Sequence, residues 1–181
     1  MVLSLDCSTT AIGWSVFEED NLIDYGRIIP TIDKLEWRDR VHNLLPQLEE
    51  LIKYYNPTKI YQEQVPMGGQ GGNLVLSQLF YVQGAFRVLE DKYVNDIEYI
   101  EVGTWRKNLD INSGDQHRDP KKLKAINKAD ELFDLGLING VQYTKNGKPK
   151  FNGMDDMADS LCIYASTREK YKVVKKSFGR R

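Results

Sequence analysis

Residues 2–7 form an apolar run that ends beside an acid, and residues 12–18 and 22–29 alternate between apolar and polar positions. All three stretches are bounded by turn formers and predict strands. The EEDN segment between the second and third reads as a hairpin turn, so the chain opens with three consecutive antiparallel strands. From Leu35 to Tyr55 the apolar residues Val41, Leu44, Leu45, Leu48, Leu51, Ile52 and Tyr55 fall at helical spacing, and Asn56-Pro57 stops the helix. Residues 59–63 make a short strand. It follows a helix, so it is expected to lie parallel to the first strand through a crossover.

A glycine-rich loop follows at 67–72. The helix predicted from Asn73 to about Lys92 is apolar on more than one side, whereas a surface helix needs a single stripe. The excess points to a second buried face, against another subunit. Residues 97–102 predict a strand, 108–120 have loop composition, and 121–135 predict a helix. Residues 139–153 read as a loop or hairpin turning at Asn146-Gly147, and Met154 to about Lys172 as a last helix. The order predicts an α/β fold, a mixed five-stranded sheet with helices on both faces. With no repeat and no linker, residues 1–172 are expected to form one domain and 173–181 a basic tail.

Composition narrows the class. The 181 residues are 41% hydrophobic and 28% charged, with ten Tyr, six Phe and three Trp, which argues against disorder. No apolar run is long enough to span a bilayer and no signal peptide precedes the first strand, so a cytoplasmic location without a membrane partner is expected. Cys7 and Cys162 sit far apart in apolar contexts and are read as reduced thiols. The net charge is −1, which does not suit a generic nucleic-acid binder. The charge is uneven, however: PKKLKAINK (120–128) and KYKVVKKSFGRR (170–181) contain no acid, and local patches of this kind can hold phosphates.

Candidate chemistry lies where acids replace expected apolar residues. Asp6 stands at the end of the first strand and Glu63 at the end of the fourth. If these strands are parallel neighbours their ends lie side by side, where ligands of such sheets collect. In GMDDMADSLCIYA (153–165), Asp156 and Asp159 are three apart on a helix and share a face; Asp155 and Asp159, four apart, could also face one way. Clustered carboxylates repel unless protons or cations compensate. Oxygen ligands without His or Cys suit Mg²⁺, with Mn²⁺ as a substitute. Two such ions about 4 Å apart can activate a water and stabilise the leaving oxygen of a phosphodiester. His42 and His117 are lone histidines without a catalytic role, although His117 lies in a polar loop that could reach DNA.

The stretches LDCSTTAIGWSVF (5–17), YQEQV (61–65), VGTWRK (102–107) and DDMADSLCIYA (155–165) together resemble the ribonuclease H-like nucleases, and within them the RuvC-type Holliday junction resolvases. The short, Asn- and Lys-rich chain looks more like bacteriophage members, such as those of lactococcal phages, than the bacterial enzyme. If phage-encoded, it would work in the cytoplasm of a bacterial host. The resemblance implies a ribonuclease H-like fold and a site of Asp6, Glu63, Asp156 and Asp159 holding two Mg²⁺. Its spacing favours Asp156 over Asp155 as the third acid.

It further implies a homodimer, joined through helix 73–92, that nicks opposed strands of a four-way junction. Met67, Gly68, Gly69, Gly71 and Gly72 would approach the DNA, and Arg106, Lys107, Lys121, Lys122 and Lys124 would hold its phosphates. Trp105 is read as core. Bacterial members carry an aromatic residue just after E-Q-V; Pro66 and Met67 occupy that region here. Cutting governed by shape, with little sequence specificity, is therefore expected on four-way junctions and also on three-way junctions, forks or flaps. Two alternatives share these features: a nuclease for RNA–DNA hybrids and a non-catalytic branched-DNA-binding protein. A sugar kinase or actin-like ATPase would need a second lobe for which 181 residues leave no room.

Overall fold

The computed structural model describes residues 1–65, 73–111 and 118–172. Strands β1 (Val2–Cys7), β2 (Ile12–Glu18) and β3 (Asn21–Ile28) run antiparallel in sequence order. Glu19 and Asp20 connect β2 to β3 with φ of 46° and 69°. Two left-handed residues in a row match the twist of a tight hairpin. Helix α1 (Trp37–Tyr55) ends at Asn56, whose left-handed backbone lets its N–H reach the Ile52 carbonyl. The chain then enters β4 (Lys59–Gln64), parallel to β1 as expected. Helix α2 (Asn73–Glu90) leads to β5 (Asp96–Glu101), parallel to β4. The sheet order is β3-β2-β1-β4-β5, a mixed five-stranded sheet.

The second half departs from expectation in detail. Between the strand expected to end at 102 and the loop expected from 108, the chain forms a helix, α3 (Val102–Asn108), directly after β5. Helix α4 (Arg118–Phe133) starts within the segment read as loop, and Pro120 in its first turn needs no N–H donor there. A small hairpin, β6 (Gln142–Tyr143) with β7 (Pro149–Lys150), turns through Gly147 as expected. Helix α5 (Met154–Ser166) stops six residues before the expected Lys172. The Ser166 and Thr167 hydroxyls donate to the carbonyls of Ile163 and Tyr164, and a 3₁₀ turn, Glu169–Tyr171, takes over.

Each face of the sheet carries its own core. On one, Leu3, Leu5, Ile12, Val16 and Ile60 meet α1 and α2 through Leu44, Leu48, Ile52, Val82 and Phe86. On the other, Phe17, Tyr61, Ile100 and Trp105 meet α4 and α5 through Ala125, Ile126, Ala129, Leu161 and Tyr164. Helix α5 is the centre of the second layer and is buried along most of its length. Cys7 and Cys162 are both free thiols. Among the described residues no helix is long and apolar enough to cross a membrane.

Candidate active site

Strand β1 alternates, so the residues between Leu3 and Leu5 and beyond face α5. These are Ser4 and Asp6. Ser4 Oγ donates to the Ser160 carbonyl at 2.7 Å, which pins the strand to the helix. Gly13 lies opposite Asp6 on β2. A Cβ on Gly13 would fall 1.9 Å from the Asp156 carbonyl oxygen. Glycine is therefore required for the first turn of α5 to settle against the strands beside Asp6.

Parallel pairing sets Leu5 beside Gln62, so Glu63 comes to the same strand ends as Asp6. Asp159, one turn into α5, is 8% exposed, and among the described residues its Oδ1 finds no hydrogen-bond donor. The acids feel one another. Burial, then Glu63, Asp159 and Asp156 hold the Asp6 carboxyl well above the usual carboxylate range, against the pull of Lys122. Burial and Glu63 push Asp159 up to about 7, with Arg106 and Lys122 opposing. Burial also raises Glu63, while the hydrogen bond from Trp105, and then Arg106 and Lys122, lower it.

Positive groups and donors frame this cluster. Trp105 Nε1, on α3, donates to Glu63 Oε2 at 3.0 Å and fixes that carboxylate. Trp105 is fully buried, in the core as expected. Lys122, from α4, pairs with Asp155, and Arg27 Nε, from β3, lies 2.6 Å from Asp156 Oδ2. The two neighbouring acids thus point apart: buried Asp155 turns to α4, and Asp156 to the β1–β3 side, where it acts on Asp6. Arg106, half-buried with its guanidinium 4.8 Å from the Trp105 ring centroid, acts on Glu63 and Asp159. Lys107 is exposed on the same helix; Lys121 and Lys124 are partly buried on α4. Met67, Gly68, Gly69, Gly71, Gly72, His117 and the tail 173–181 lie outside the described residues. His42 is engaged elsewhere, with Nε2 2.8 Å from the Tyr81 hydroxyl.

Could this set hold divalent ions? The donors are hard carboxylate oxygens, their crowding disfavours shared negative charge, and Asp159 offers an unpartnered oxygen. All three suit Mg²⁺. Among the described residues no three acidic, imidazole or thiol groups converge as a ready-made cage. Mg²⁺ does not require one: it is usually held by one or two carboxylates together with water and substrate phosphates. The residues therefore fit the ion.

No family model and no curated protein matches the sequence. The fold does have counterparts among solved structures. Thermus thermophilus RuvC in complex with Holliday junction substrate superimposes with TM-score 0.61 at 14% identity, covering 92% of this chain and 94% of that one. A second Thermus thermophilus RuvC structure gives 0.56 at 15% identity, with coverage of 90% and 89%. The Fowlpox virus resolvase with its Holliday junction substrate is more distant, at TM-score 0.48 and 16% identity over 90% of this chain and 95% of that one. The first two establish the fold: this chain has the RuvC-like, ribonuclease H-like architecture.

Proposed function

We propose that this chain is a Mg²⁺-dependent, structure-selective DNA endonuclease that resolves four-way junctions by paired nicks. The observation that carries this reading is that Asp6 and Glu63, at neighbouring strand ends of a RuvC-like sheet, and Asp156 and Asp159 on α5 lie close enough for their charges to act on one another. No other described part of the molecule gathers carboxylates that raise one another in this way. Support also comes from the neighbour with TM-score 0.61, which was solved with a Holliday junction substrate.

The four acids would hold the ions. Two Mg²⁺ bound there would supply activation of a water and stabilisation of the leaving 3′ oxygen. The chain's own part is positional. Trp105 orients Glu63, Ser4 ties β1 to α5, and Gly13 seats the first turn of α5 beside Asp6. Lys122 and Arg106 moderate the repulsion among the acids. Lys107, Lys121 and Lys124 would meet backbone phosphates.

Paired nicking requires two copies. Helix α2 exposes Leu74, Tyr81 and Val88, each seven residues from the next and therefore on one stripe. The stripe supports a homodimer through that helix. The Asn- and Lys-rich character of the chain supports a bacteriophage origin.

A cleavage panel in Mg²⁺ tests the reading, using four-way and three-way junctions, a flap, linear duplex DNA and an RNA–DNA hybrid. Symmetric nicks in the four-way junction, with linear duplex intact, are expected. Preferential cutting of the hybrid would replace the reading with a hybrid nuclease. Junction binding without cleavage by any divalent ion would leave only a branched-DNA-binding protein.

A further inference from the structure

Arg27 drew no attention in the sequence, yet it sits at the edge of the candidate site. It lies opposite Gly13 on β2, and Gly13 lies opposite Asp6 on β1, so Arg27, Gly13 and Asp6 form one row across three strands. The first turn of α5 fills the gap above Gly13 and brings Asp156 to the row. There Arg27 Nε meets Asp156 Oδ2 at 2.6 Å, with both side chains partly open to solvent, 33% and 21% exposed.

The seat is shaped for this arginine. Gly153, just before α5, has φ +86°, and a Cβ there would come within 2.6 Å of Arg27 Cδ and 2.8 Å of its Nε. Arg27 also lines a groove of about 560 Å³ with Trp14, Asp24, Gln47, Glu50 and Tyr55. The guanidinium thus stands between a carboxylate of the acid cluster and an open surface.

Electrostatics sets the consequence. A divalent cation approaching Asp156 competes with Arg27 for one carboxylate and is repelled by its charge. A phosphate approaching Arg27 competes with Asp156 for one guanidinium, to which it can bind through two parallel N–H bonds. Breaking the Arg27–Asp156 pair favours both ligands, and the pair is broken only once. We propose that Arg27 is a positioning residue that couples the two events: divalent-ion binding at Asp156 frees Arg27 for a DNA phosphate, and DNA binding frees Asp156 for the ion. The coupling is reciprocal by linkage. It rests on the metal-site reading given above.

The test compares wild type with Arg27→Ala and Arg27→Gln, two neutral variants of different bulk, after circular dichroism has confirmed their folds. Mn²⁺ binding without DNA is measured by calorimetry, and four-way junction binding is measured in EDTA and in Ca²⁺. Whichever variant folds is expected to bind Mn²⁺ about two- to fivefold more tightly than wild type, the size of a partly exposed ion pair. Wild type is expected to bind the junction more tightly in Ca²⁺ than in EDTA, and the variants to lose that gain. Equal or weaker Mn²⁺ binding by the variants, or a gain in Ca²⁺ that persists without Arg27, would overturn the coupling. An Asp159→Asn control separates the two readings. If wild type binds Mn²⁺ and Asp159→Asn does not, the metal site stands and the Arg27 variants alone decide the coupling. If wild type binds no Mn²⁺, the metal site and the coupling fall together.

Discussion

On one face of the sheet Leu3, Leu5, Ile12 and Val16 interlock with the aliphatic side chains of α1 and α2. On the other, the intervening positions of the same two strands are Ser4, Asp6, Gly13 and Ser15, set against α5. The aliphatic face gains free energy from buried area. The α5 face gives some of that up. It buries carboxylates that raise one another, and it replaces side-chain packing with close backbone approach at Gly13. The first face holds the strands in place so that the second can keep like charges together.

The sharpest way to break this comparison is to injure each face in turn. Leu5→Ala should cost about 2–5 kcal/mol of stability by urea unfolding. Its junction cleavage should survive at temperatures where the fold persists. Asp159→Asn should do the opposite, losing cleavage while its melting temperature in EDTA stays level or rises, because one buried charge is gone. If both variants lose stability alike, the two faces do not divide their work.

Gly13→Ala should injure both properties. Its methyl group meets helix backbone, so α5 must shift, at a typical overpacking cost of about 1–3 kcal/mol. Displacement of Asp156 should abolish nicking even where the variant remains folded. Activity close to wild type would show that α5 does not need the approach seen here.

The sequence was most informative where each residue's role depended on local pattern. The β1–β3 alternation, the α1 periodicity ending at Asn56, and the β6–β7 turn at Gly147 could all be read from neighbouring residues. So could Asp6 and Glu63, because an acid at the end of an apolar strand is conspicuous. Helix α3 was missed because seven residues are too few for periodicity to show and Glu101 supplies no side-chain cap. The end of α5 was misplaced because Ser166 and Thr167 turn their hydroxyls back on the helix, a choice settled by geometry. Arg27 and the Trp105 bond to Glu63 depend on residues that are distant in sequence. Lys122 was read as a phosphate contact within a basic run; its pairing with Asp155 needs α4 packed on α5.

A smaller effect is expected at the border between core and site. Trp105→Phe keeps the buried ring and removes the donor to Glu63. Loss of a donor that orients a ligand typically costs about 10–100-fold in activity or metal affinity. Single-turnover nicking at limiting Mg²⁺ should show a drop of that order, with the melting temperature nearly unchanged. An unchanged rate would mean that Glu63 holds its orientation without Trp105.

The smallest effect concerns Glu90, among the described residues the one acid buried on the aliphatic face. Glu90 is fully buried, and with the Gln62 amide turned to donate, both Glu90 oxygens lie 3.1 Å from its nitrogen. Burial raises the Glu90 carboxyl to about 8. The folded chain therefore binds a proton that the unfolded chain releases near its usual value of 4.5. This contribution to stability is complete below that value and is lost as pH rises towards about 8. Thermal unfolding in EDTA from pH 5 to 9 should show a decline that is shallower in Glu90→Gln. Equal slopes would show that the decline arises from the α5-face acids alone.

The central claim is that the acids on the α5 face form a divalent-ion site that cuts branched DNA. Single-turnover nicking of a synthetic four-way junction by wild type and Asp6→Asn in Mg²⁺, with junction binding measured alongside in EDTA, tests it most directly. The expected result is paired nicks by wild type and none by Asp6→Asn, with equal binding by both. Nicking by Asp6→Asn at the wild-type rate would contradict the claim.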